Sequence, residues 1–90
     1  MNPELQIKAT ITDIESKLDK NSNPYFRISL QGSPNYFYAF SFSLKENTLQ
    51  SLTDSPHKFI NQQVLITYEE LPNKDNQGTF AKVKEIEILW

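Results

Sequence analysis

Apolar and polar residues alternate through much of this chain, most sharply between Asn21 and Leu44 (NSNPYFRISLQGSPNYFYAFSFSL). In the first half of that stretch Phe26, Ile28 and Leu30 take one parity and Tyr25, Arg27 and Ser29 the other, the period-two pattern of a half-buried strand. In the second half Tyr36, Tyr38, Phe40, Phe42 and Leu44 form the more apolar parity, with Phe37, Ala39, Ser41 and Ser43 opposite. Between the halves, Gln31 to Asn35 place a glycine free to take positive φ beside a proline of fixed φ, and the chain reverses. A β-hairpin is expected, with Ile28, Phe40 and Phe42 in the core together with Val64 of a later strand. Its other face would then present Tyr25, Arg27 and Phe37. A bulge that shifts the second run by one residue would put Tyr36 and Tyr38 there instead of Phe37.

The same pattern extends outward from the hairpin. Leu5, Ile7, Ala9 and Ile11 alternate with polar neighbours until Ile14 breaks the parity, which predicts a bent first strand. Ser16 to Asn23 is a polar connection that ends before Pro24. Leu49 and Leu52 in KENTLQSL have helical spacing, and Asp54, Ser55 and Pro56 end that helix. HKFIN continues as a turn or a short helical piece. Val64, Ile66 and Tyr68 mark a fourth strand, and Leu71 to Gly78 a turn-rich loop. A last strand from Thr79 to Leu89 sets Ala81 and Val83 against Phe80, Lys82 and Lys84, then flips parity at Ile86 and Ile88, which predicts a second bulge.

The order is therefore three strands, a short helix and two strands, with bends where a closing sheet needs them. Ninety residues support one core, since at this size only about 60 to 65% of the unfolded chain's surface can be buried. Residues 1–90 are read as a single domain. NPYFRISLQ followed by YFYAFSFSL, the helix, VLITYEEL and a hairpin ending KVKEIEIL resembles the OB-fold of single-stranded DNA-binding proteins and related nucleic-acid-binding domains. The resemblance runs from about Leu5 to Leu89. It implies an all-β fold, a five-stranded antiparallel OB-fold barrel with one short helix between strands three and four. Where such domains usually turn into strand four on a glycine, Asn61 stands here, the next most tolerant residue of left-handed backbone.

The resemblance also implies a site. OB domains bind single strands on the outer face of strands two and three, between the loops that join strands one to two and four to five. Carried over by position, that groove holds Tyr25, Arg27 and Phe37, with Lys17, Lys20 and Lys74 on the loops and Phe80, Lys82 and Lys84 on strand five. Exposed aromatic rings stack on bases, and lysine and arginine follow phosphates without reading sequence. The expected partner is single-stranded nucleic acid, DNA before RNA. The competing reading makes the same face a protein-interaction or homodimer surface.

Charge works against the first reading, because 9 basic and 11 acidic residues leave a net charge of −2. A local cationic groove on an acidic body still focuses a positive field, so the placement of charges decides. The chain has no cysteine, which removes thiolate chemistry and cysteine-based zinc sites. Together with the lack of an apolar leader or spanning run, this gives the expectation of a cytoplasmic protein with no membrane association. The single histidine, His57, has no nucleophile on a sharp turn near it and is expected in solvent. Glu69, Glu70, Glu85 and Glu87 lack a third clustered oxygen ligand and read as solvated strand faces. With only Gly32 and Gly78 the chain has no phosphate-cradling glycine loop. No enzymatic activity and no cofactor are expected.

Overall fold

The computed structural model describes residues 3–72 and 78–89. Five strands form one closed sheet: β1 (Leu5–Leu18), β2 (Pro24–Leu30), β3 (Tyr36–Phe40), β4 (Gln63–Pro72) and β5 (Thr79–Ile88), in the order β1-β2-β3-β5-β4. Helix α1 (Glu46–Asp54) and a short 3-10 turn (Pro56–Phe59) lie between β3 and β4. The helix where KENTLQSL predicts it, and the helical piece in HKFIN, are both present.

Strand β1 serves two partners. Its first half pairs with β4, from Leu5↔Tyr68 to Thr10↔Gln63, and its second half with β2, from Ile11↔Leu30 to Leu18↔Pro24. The switch happens at a bulge between Ile11 and Asp13, where the parity break at Ile14 predicts it. Thr12, the extra residue, donates its hydroxyl to the Ser29 carbonyl at 3.2 Å. The second predicted bend is also found, because the β4–β5 register steps over Lys84 between Thr67↔Glu85 and Tyr68↔Val83. The bulge lets Val83 and Ile86 both face inward. Gly32 (φ 77°) supports the hairpin reversal, and Asn61 (φ 65°) takes the left-handed turn into β4 while donating its N–H to the Ile11 carbonyl.

One expectation needs correction at the sheet: it is mixed, not wholly antiparallel. The neighbours β3 and β5 run parallel, through Phe37↔Ala81 and Tyr38↔Lys82, while the other four strand-to-strand pairings of the ring are antiparallel. The cause is arithmetic. Around a ring of five strands direction cannot alternate at every step, so one seam must be parallel.

A second correction concerns the core. Ile28 and Val64 are completely buried, as their parity predicts, but Phe40 is only half-buried and Phe42 is 71% exposed. Phe37 is the buried aromatic, with Ala39 beside it. Directly opposed residues of an antiparallel pair share a face, and the register sets Phe37 against Ile28 and Ala39 against Phe26. Strand β3 thus puts one large and one small side chain into a core already holding Phe26, Phe59 and Leu52. The opposite parity would have forced Tyr36, Tyr38 and Phe40 inside, including two hydroxyls that need water or a partner. The strand also ends at Phe40, not Leu44: the Ser43 and Leu44 N–H groups both donate to the Phe40 carbonyl, turning the chain toward the helix.

Candidate nucleic-acid interface

The outer face is set by register. Crossing the sheet through β1, β2, β3, β5 and β4, one row of opposed residues reads Glu15, Arg27, Tyr38, Lys82, Glu69. The neighbouring row reads Lys17, Tyr25, Phe40. Aromatic rings therefore occupy the middle of the face, cations flank them on both sides, and carboxylates lie beyond the cations.

The rings form a continuous strip. Phe40 stacks on Phe42 at 5.4 Å between centroids with 21° between planes, and Tyr38 lies 6.4 Å from Phe40 at 18°. Tyr25 tilts against Phe40 at 5.6 Å from the β2 side. Phe80 meets Tyr38 and Phe40 edge-on from β5, each at 6.3 Å. Every-second-residue spacing on β3 makes near-parallel rings possible, since side chains at i and i+2 share a face. Two clefts open along this strip. One is lined by Tyr25, Tyr38, Phe40, Phe80 and Asp19; the other reaches Phe42, Leu71, Lys82, Lys20 and Asn21. At the far end Tyr36, 42% exposed, borders a third cleft with Asn35, Glu70 and Thr79.

The cations differ in how free they are. Arg27 bonds Glu15 through Nη2 at 2.5 Å, its guanidinium lies 4.4 Å from the Tyr36 ring centroid, and its buried Nε has no hydrogen-bond partner among the described residues. The bond to Glu15 raises the Arg27 pKa, and the bond to Arg27 lowers that of Glu15. Lys17 shares the same carboxylate at 3.7 Å. Lys84 is held by Glu69 at 2.8 Å and Glu4 at 3.5 Å; the Glu69 bond raises its pKa and lowers that of Glu69. Lys20 and Lys82 form no ion pair among the described residues.

The loop from β1 to β2 is held by Asp19, whose carboxylate accepts the N–H groups of Asn23 and Asn21, each at 2.8 Å. The Asn23 amide is the larger cause of its lowered pKa. This shapes the end of the strip, because Asp19 and Lys20 line the clefts there.

Of the residues singled out in the sequence, Tyr25, Arg27, Phe80 and Lys82 meet on this face, with Lys17 and Lys20 at its margin. Lys84 is the bulge residue and is tied to Glu69 and Glu4. Phe37 does not reach the face at all: it is 7% exposed, packed edge-on against Tyr68. Lys74 lies outside the described residues. Tyr36 and Tyr38 take the outer parity, as the shifted-register alternative has it, whereas Phe40 and Phe42 are expected in the core and lie on the face instead. The signal that could have found them is the tyrosine hydroxyls, which mark the wetter parity of β3. Among the described residues no three of His, Cys, Asp and Glu come together as metal ligands, and no helix is long and apolar enough to cross a membrane.

A closed five-stranded sheet with one helix between its third and fourth strands, carrying aromatic rings on the outer face of the second and third, is an OB-fold. It is similar to solved structures of Rim1, a mitochondrial single-stranded DNA-binding protein from S. cerevisiae. One crystal form gives a TM-score of 0.72 at 15% identity over 99% of this chain and 95% of that one. Another gives 0.72 at 17%, over 99% and 97%. No protein-family model matches the sequence, and no curated relative does. The cytoplasmic expectation is overturned by this likeness, since the similar structures are of mitochondrial proteins and lack of cysteine does not separate the two compartments.

Proposed function

We propose that this chain, as a single OB domain over residues 1–90, is a nonenzymatic module that binds single-stranded nucleic acid, DNA in preference to RNA. The carrying observation is the strip of Tyr25, Tyr38, Phe40, Phe42 and Phe80, with Phe42 left 71% exposed. Five rings that share an outer face with Lys82 and Arg27 suit bases on the rings and phosphates on the cations. Stacking of this kind accepts any base, so binding is sequence-tolerant. Preference for DNA takes its support from the single-stranded DNA-binding proteins that share the fold. The acidic balance makes binding weak and salt-sensitive.

The test is a titration of dye-labelled oligothymidine by anisotropy at low and high salt, on wild type and Phe40→Ala. Binding that weakens with salt and weakens further in the variant supports the reading. No binding at low salt, with Phe40→Ala instead disrupting a dimer or a protein complex, would show the face to be a protein-interaction surface.

A further inference from the structure

We propose that Glu15 competes with the nucleic-acid backbone for Arg27 and Lys17, so that these residues form a phosphate subsite which the protein's own carboxylate holds closed. The inference rests on the nucleic-acid reading above. Glu15 lies opposite Arg27, and Lys17 lies opposite Tyr25, so the carboxylate is one row position from the aromatic strip. It touches both cations, Arg27 at 2.5 Å and Lys17 at 3.7 Å. One negative charge is thus shared by two positive ones at the edge of the face, offsetting half of their charge.

The arginine is incompletely engaged. Glu15 takes Nη2 only, and Nε has no hydrogen-bond partner among the described residues. A phosphate offers several oxygens and can accept from more than one guanidinium N–H at once, the bidentate geometry that guanidinium favours. Tyr36 packs against the guanidinium from a residue two positions along the strand from Tyr38, so the plane is already steadied for an incoming anion. The exchange is not costly, because the side chains of the trio are 28 to 40% exposed and surface ion pairs are weak. Chain charge follows the same logic on the other flank, where Glu69 backs Lys82 in register and bonds Lys84.

Glu15→Gln tests this, since glutamine keeps the shape and one acceptor while removing the charge. Oligothymidine affinity should rise roughly twofold to fivefold at low salt, the scale of one surface ion pair. The slope of log affinity against log salt should steepen by about 0.7 for each cation set free. In a chain carrying Arg27→Ala and Lys17→Ala the same substitution should gain nothing. Glu87→Gln, which removes a charge beside Asn47 and Ser51 in a separate groove, should also gain nothing. Equal tightening by Glu87→Gln, or in the doubly truncated chain, would mean a diffuse charge effect and overturn the proposal. Wild-type binding with no tightening in Glu15→Gln would overturn it while leaving the nucleic-acid reading standing. Absence of binding in both proteins at low salt would overturn the two together.

Discussion

The hydroxyl of Thr48 accepts the backbone N–H of Ile86 at 3.3 Å inside the core boundary, joining α1 to β5 just past the Lys84 bulge. The bulge breaks the regular ladder, and the helix supplies the missing acceptor; Lys45 returns the link by donating its N–H to the Lys84 carbonyl at 2.9 Å. Thr48→Val should leave a buried donor unpaired and cost about 1 to 3 kcal/mol, read as a lower urea midpoint. Thr48→Ser should recover most of it. An unchanged midpoint in Thr48→Val would mean water replaces the hydroxyl.

Phe37 and Phe40 should behave oppositely. Phe37→Ala removes a ring from the core and should cost about 3 to 5 kcal/mol of unfolding free energy. Phe40→Ala removes a half-buried ring and should cost clearly less. Denaturant unfolding of the pair decides the register of β3: the reverse order of stabilities would mean that the strand is shifted by one residue.

Binding should sort the same residues in the other direction. Phe40→Ala and Phe42→Ala should each weaken oligothymidine binding by about 1 to 3 kcal/mol at every salt concentration. Their salt slopes should match wild type, because no charge is lost. Anisotropy titrations at several salt concentrations separate this loss of stacking from loss of a phosphate contact.

Lys82 sits opposite Tyr38 on the side of the strip away from Arg27. Lys82→Ala should therefore lower affinity mainly at low salt and flatten the slope by about 0.7. Lys84→Ala, already paired with Glu69 and Glu4, should change the slope much less.

The Asp19 loop predicts an acid dependence. Backbone donors hold its carboxyl below the usual carboxylate range in the folded state. Its contribution to stability is then complete above about pH 4, where the unfolded chain is also ionised, and is lost as pH falls through the lower folded value. Asp19→Asn should be less stable than wild type near neutral pH, with the gap closing as acid protonates the folded-state carboxyl. A gap independent of pH would show that the side chain acts through shape alone.

Much of this was readable in the sequence. Ile11 and Ile14 cannot both face inward from an unbroken strand, and neither can Val83 and Ile86, so both bulges follow from the apolar pattern. Asn61 announced its left-handed turn by residue type. The face of β3 was not readable in the same way, because YFYAF is apolar on both parities and a period of two has nothing to choose between. Only pairing with Ile28 across the sheet settles it. The Glu15–Arg27 pair was hidden for a related reason: its register depends on the single residue added at Thr12.

The parallel seam between β3 and β5 is only two register pairs long, Phe37↔Ala81 and Tyr38↔Lys82. It is the shortest join in the ring, and amide protons there should exchange with solvent ahead of those in the long β4–β5 ladder. The aromatic strip lies across that join, with Tyr38 and Phe40 on one bank and Phe80 on the other. A ligand laid on these rings grips both banks at once and works as a clasp. Occupancy should consequently slow hydrogen exchange at the seam, making the bound domain more tightly shut as well as filled.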